Sequence, residues 1–146
     1  MSLEDEYRAV RYGAALSRME HVGLLRLRGD DAIEAVDAIC SGDLWVRDGR
    51  MLQTLILDEQ AQPIADVYVC PDDDTCILMV EGITPEEFSA CRARHADPDL
   101  ELELENLRPE HDLLSLHGPY AWEVLSKWPT PDIIGLPELR FHRVNP

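Results

Sequence analysis

Three apolar runs of strand length, Met51 to Leu57, Ile64 to Cys70 and Cys76 to Glu81, follow one another with only short polar connections between them. Runs this short do not make buried helices. The connections, Asp58-Glu59-Gln60-Ala61-Gln62-Pro63 and Pro71-Asp72-Asp73-Asp74-Thr75, are too short for the crossover a parallel pair needs, and their residues favour turns. The segment must therefore pair antiparallel with itself, and any fold for the chain has to be built around that meander.

The flanking sequence alternates short strands with short helices. Glu4 to Leu16 has helical composition. Gly23 opens a strand, Leu24 to Arg28, which stops at Gly29. Asp30-Asp31 then lead into Ala32 to Ile39, with apolar residues at helical spacing and acids in the first turn, where the helix dipole favours them. Asp48-Gly49 marks a turn before the meander. Thr84-Pro85-Glu86-Glu87 is a capping box: Thr84 caps, Pro85 takes the first helical position, and Glu87 reaches back, for a helix running to about His95. Leu100 to Glu105 alternates leucine with glutamate, the pattern of a strand with one packed and one acidic face, suited to a sheet edge. Leu113 to Leu116 is a further strand. His117-Gly118-Pro119 begins a helix carrying Trp122, Val124 and Leu125, and Arg140 to Val144 reads as a last strand whose exposed edge needs covering. Together these elements make an α+β fold of mainly antiparallel sheets with short helices.

Composition narrows the function. No run of 18 apolar residues occurs, and the acidic start, Leu3-Glu4-Asp5-Glu6, lacks the layout of a signal peptide, so a cytoplasmic location is expected. The net charge is −16, with one lysine and twelve arginines against 29 acids. Such a surface repels a phosphate backbone and excludes nucleic acid as a partner. It is either a solvated acidic surface or a face matched to a basic partner subunit. The four cysteines, Cys40, Cys70, Cys76 and Cys91, have no regular spacing and read as reduced, mostly core thiols, although Cys70 and Cys76 could face each other across a hairpin. The histidines His21, His95, His111, His117 and His142 share no metal-ligand spacing, and no metal is expected. Trp45, Trp122 and Trp128 read as packing residues.

Several stretches, in register over residues 7 to 145, carry a family likeness. Ala9-Val10-Arg11, His21-Val22-Gly23 and Gly29-Asp30-Asp31-Ala32 are followed by the ungapped stretch Gly49 to Asp66, which ends Ile64-Ala65-Asp66-Val67. Later come Ile77-Leu78-Met79-Val80-Glu81 and Leu114-Ser115-Leu116-His117-Gly118-Pro119-Tyr120-Ala121. In these the chain resembles the N-terminal half of the glycine-cleavage T-protein, or aminomethyltransferase, family of folate-binding proteins. The resemblance treats residues 1–146 as a single unit, the N-terminal half of a folate-binding module. Family members continue into a Y-T-G-E segment whose glutamate grips the pterin, whereas this sequence ends at Phe141-His142-Arg143-Val144-Asn145-Pro146. The chain is then a fragment, or a second polypeptide supplies the rest.

The resemblance implies tetrahydrofolate as cofactor and Asp66 as the catalytic carboxylate beside its reactive nitrogens. There it would orient an amine, stabilise charge developing on the transferred carbon and help move a proton. Because Asp66 interrupts an apolar run, the sequence also suggests a buried polar group, set against an ordinary hairpin aspartate satisfied by backbone N–H groups. Cofactor contacts fall on Gln53, Tyr68 and Glu81. Gln53 stands where the family has an aromatic, Tyr68 offers a ring two residues from Asp66, and Glu81 replaces the asparagine ending the V-V-N strand. A carboxylate there could accept two N–H donors from an amino-pyrimidine edge. The family's Gly-Gly turn is Ala61-Gln62, and Arg18 replaces an aspartate with no role the resemblance assigns. The leading expectation is one subunit of a split tetrahydrofolate-dependent one-carbon transferase acting on an amine or ether substrate. The alternatives are a non-catalytic structural subunit of a folate-linked demethylating or amine-oxidising complex, and a relative of the folate-binding iron–sulfur maturation branch.

Overall fold

The computed structural model describes residues 2–45, 49–73, 75–95, 97, 100–127 and 135–142. The chain falls into two compact units, one formed by Met1–Met19, Asp112–Glu138 and His142–Pro146, the other by Glu20–His111 and Leu139–Phe141.

The larger unit is one sheet with helices on a single face. Its strands are β2 (Gly23–Arg28), β3 (Leu52–Leu57), β4 (Pro63–Asp72), β5 (Thr75–Glu81) and β6 (Glu103–Asn106), in the spatial order β3-β4-β5-β2-β6 and antiparallel at every pairing. The meander expected from the sequence is therefore the β3-β4-β5 portion. Strand alternation sends Leu25, Leu27, Ile56, Ala65, Val67, Val69, Leu78 and Val80 to the inner face. There they pack with Ala32, Ala35 and Val36 of α2 (Ala32–Asp37) and Phe88 and Cys91 of α3 (Pro85–His95). Each fully buried aliphatic or aromatic side chain of this kind contributes about 1.5–3 kcal/mol of transfer free energy.

Local chemistry fixes several boundaries. Thr84 Oγ1 accepts from Glu87 N at 3.2 Å and Glu87 Oε2 accepts from Thr84 N at 2.8 Å, so the capping box forms as the sequence implies. Thr84→Ala is expected to cost about 0.5–2 kcal/mol through the freed Glu87 N–H, measurable as a lower urea midpoint with an unchanged m-value. The β3–β4 turn is held by Asp58 Oδ1, which accepts from Gln60 N at 2.9 Å and Gln62 N at 2.8 Å. Ala61 sits there at φ 60°, in the left-handed region a glycine would occupy without strain. β6 lies at a sheet edge, as its glutamates suggest, with Leu102 and Leu104 packed against the core. Glu105 Oε2 receives Arg26 Nη1 at 3.1 Å and Arg28 Nη2 at 3.4 Å from β2.

The smaller unit contains α1 (Leu3–Tyr12), β1 (Ala15–Arg18), β7 (Leu114–His117) and α4 (Ala121–Leu125); β1 and β7 form an antiparallel two-stranded ribbon. Arg18 finds a structural role here. Its guanidinium grips Asp112 in a bidentate pair, with Nε at 3.0 Å from Oδ1 and Nη2 at 2.7 Å from Oδ1 and 2.6 Å from Oδ2.

Some expectations change. The helix expected from Glu4 to Leu16 stops at Tyr12, because Gly13 ends it and residues 15–18 gain ladder bonds from β7. The strand expected from Leu100 starts at Glu103, where pairing with Arg28 begins. At the expected last strand only Arg140 pairs, as an isolated bridge to Arg50, supported by Phe141 N donating to Gly49 O at 3.2 Å; residues 143 and 144 lie outside the described residues, as does Asp48 of the expected turn. Trp45 is 95% exposed and Trp122 55% exposed, so neither is a packing residue: Trp45 follows Leu44, whose backbone is tied to Asp37, onto an open loop. Trp128 lies outside the described residues.

Candidate functional site

The outer face of the larger unit's sheet carries the residues singled out in the sequence. Alternation that sends Ala65 and Val67 inward sends Asp66 and Tyr68 outward, and both are half-buried. Asp66 is thus not the buried polar group its apolar neighbours suggest, because those neighbours belong to the opposite face. Cross-strand register brings the four candidates together. Tyr68 pairs with Gln53 on β3 and with Met79 on β5, and Asp66 pairs with Leu55 and Glu81. Residues directly opposite in this way have Cβ atoms about 4.5–5.5 Å apart, and a long side chain reaches its diagonal neighbour.

Gln53 makes that diagonal contact. Its Nε2 donates to both oxygens of Asp66, at 3.1 Å to Oδ1 and 2.8 Å to Oδ2. The carboxylate is therefore oriented by Gln53, and among the described residues no other hydrogen bond to it is formed. Glu81 stands on the other side of Asp66, and its Oε1 lies 3.7 Å from His21 Nε2, with both side chains more than half exposed. Two carboxylates opposite one another disfavour the sheet by about 0.2–1 kcal/mol. Their neighbours lessen that cost, a glutamine amide beside one and an imidazole beside the other.

His21 is a residue to which the sequence reading assigned no role at the site. Its sequence signal was the stretch His21-Val22-Gly23 of the family likeness; in the structure Gly23 pairs with Val80, so the chain just before β2 runs beside Glu81. The aromatic and aliphatic side chains of this face include Tyr68, Met79 and Leu55, the last 37% exposed. The face thus offers acceptors side by side at positions 66 and 81, next to the row that holds Tyr68 and Met79.

Other reactive groups stand apart. Cys40, Cys70, Cys76 and Cys91 are free, and all but Cys40 are buried. Burial pushes the thiols of Cys40 and Cys76 up to about 12 and that of Cys70 up to about 11, so none of these three is a ready nucleophile. Among the described residues no three His, Cys, Asp or Glu side chains converge as a metal site, and no helix is long and apolar enough to cross a membrane. A small cavity of about 200 Å³ lined by Ala38, Cys40, Ser41, Leu57 and His95 shares no residue with the Asp66 face.

The chain as a whole is similar to known aminomethyltransferases. An aminomethyltransferase of Geobacillus thermodenitrificans is 32% identical over 142 residues, covering 96% of this chain and 38% of that protein. One from Chlorobaculum parvum is 32% identical over 124 residues, covering 84% of this chain and 34% of that protein. The fold matches the crystal structure of glycine cleavage system aminomethyltransferase T from Bartonella henselae with a TM-score of 0.73 at 23% identity, over 84% of this chain and 34% of that one. The chain therefore spans little more than a third of the length of these relatives. The GCVT N-terminal domain model matches residues 1–146, its whole length, and the chain belongs to that family.

Proposed function

We propose that the chain is one subunit of a split tetrahydrofolate-dependent one-carbon transferase acting on an amine or ether substrate, with a second polypeptide supplying the rest of the fold. The observation that carries this reading is the Asp66 carboxylate, held by Gln53 on the outer sheet face of a GCVT-type domain, with Glu81 directly across from it. The donor chemistry fits a reduced pterin. Such a ring has a flat apolar face and an edge rich in N–H groups, and this face has Tyr68 and Met79 beside two carboxylate acceptors.

Tetrahydrofolate, when bound, carries the one-carbon unit. The protein's part is to bind, orient and handle protons. Glu81 would accept from the amino-pyrimidine edge as a charge-assisted pair, and Tyr68 would lie along the ring. Asp66 would orient the amine, offset positive charge developing near the transferred carbon, and take or return a proton through its free lone pairs. Gln53 replaces a stacking aromatic with a hydrogen-bonding one: it leaves Asp66 little rotational freedom, which pre-orients the carboxylate. Carriage in the cytoplasm accords with the free thiols.

Titration calorimetry of the assembled two-chain complex with tetrahydrofolate tests the reading. One folate per complex is expected, with no measurable heat from the 146-residue chain alone. A complex that takes up no reduced folate leaves only a structural role for this subunit.

A further inference from the structure

The smaller unit has no core of its own. None of its described residues is buried, although it holds Leu3, Tyr7, Val10, Leu16, Leu114, Tyr120, Trp122 and Val124, all substantially exposed. The exposure is organised. On α1, Leu3, Tyr7 and Val10 recur at the spacing of one helix face, yet no residue of that helix is buried. On the ribbon, Leu16 pairs with Leu116 and Arg18 with Leu114, so three leucines share one face, and Leu16 is 65% exposed. Among the described residues the ribbon pairs only with itself, leaving an unpaired edge on each strand. Two strands without a covering layer are marginal in water.

Charge separates this unit from the other. It holds seven acidic and five basic residues, whereas the larger unit holds 22 acidic and eight basic ones. The apolar surface thus lies on the nearly neutral part of a strongly acidic chain, the profile of an interface core. A second copy is a poor occupant, since two chains of net charge −16 repel. An anionic lipid surface is another poor one, since Glu4, Asp5 and Glu6 fill the first turn of α1.

We propose that this open face is the docking surface for a second polypeptide, one carrying the part of the GCVT-type fold that the relatives possess beyond the 38% or less spanned by this chain. It adds a strand to the β1–β7 ribbon and covers the leucine face and the Leu3-Tyr7-Val10 stripe. The inference rests on the split-subunit reading and assigns it a surface.

Site-specific photocrosslinking in the cell that makes the protein tests both separately. Benzoylphenylalanine is placed at the positions of Tyr7, Leu16 and Trp122, and, in the larger unit, of Leu55, with the captured chain identified by mass spectrometry. Capture of a separate polypeptide with GCVT-type sequence from the first three positions is the expected result. Capture of that polypeptide from position 55 alone overturns the surface but keeps the split enzyme. Capture from no position overturns both. Crosslinks to a second copy, to lipid, or within one longer polypeptide overturn the occupant. In the purified complex, Leu16→Glu with Leu114→Glu is expected to weaken association at least tenfold, while Gln60→Glu in the β3–β4 turn leaves it unchanged. An unweakened double variant counts against the proposal.

Discussion

Asp66→Asn is expected to lower one-carbon transfer by the assembled complex by about 10²–10⁴-fold, the range over which a positioned acid or base acts. The substitution is chosen because it leaves the local structure intact. Gln53 Nε2 can still donate to the asparagine carbonyl oxygen, the side chain keeps its volume on a half-buried outer position, and one of two opposed carboxylates is removed. Stability should therefore stay within about 0.5 kcal/mol of the parent, as for most surface changes. Folate affinity measured by calorimetry should change far less than turnover, because the proposed task of Asp66 lies at the reacting atoms and the grip on the pterin edge is assigned to Glu81. Turnover that survives Asp66→Asn within a factor of three would remove the catalytic role and leave the subunit a scaffold.

The second large effect is on the fold. Phe88 is fully buried and is the largest such side chain in the core between α3, α2 and the sheet. Phe88→Ala should cost about 3–5 kcal/mol, the sum of lost transfer energy and the void left behind. For a unit of this size that is a drop of about 15 °C or more in melting temperature, followed by far-UV circular dichroism. Phe88→Leu fills most of the space and should lose less than half as much. A drop under about 5 °C for Phe88→Ala would show that the helix layer is not held by this ring.

What could be read in advance follows from the range of the interactions. The capping box at Thr84 and the strands around Asp58 and Asp72 are set by residues within a few positions of one another, so composition alone locates them. β1 escaped because Ala15-Leu16-Ser17-Arg18 has no β-branched residue and becomes a strand only through β7, far along the chain. The site was legible in part. The likeness singled out Asp66, Tyr68 and Glu81, and the register puts them side by side. It took the paired strands to show that Gln53, read as a lost aromatic, is the residue that holds Asp66. The apolar neighbours of Asp66 misled in a different way: in a strand, adjacent residues report on opposite faces, and only residues two apart report on the same environment.

The sheet order β3-β4-β5-β2-β6 also carries a consequence for how the molecule comes into being. β3, β4 and β5 can zip together as soon as they leave the ribosome, since each pairing closes a loop of a few residues. β2 is synthesised before them yet lies between β5 and β6, and Leu25 meets Asn106 only once residue 106 has been made. The leucines of β2 must remain solvated, or guarded by a chaperone, until the meander is ready to receive them. β1 waits longer still, for His117. Both β1 and β2 are thus placed only after strands made later than themselves.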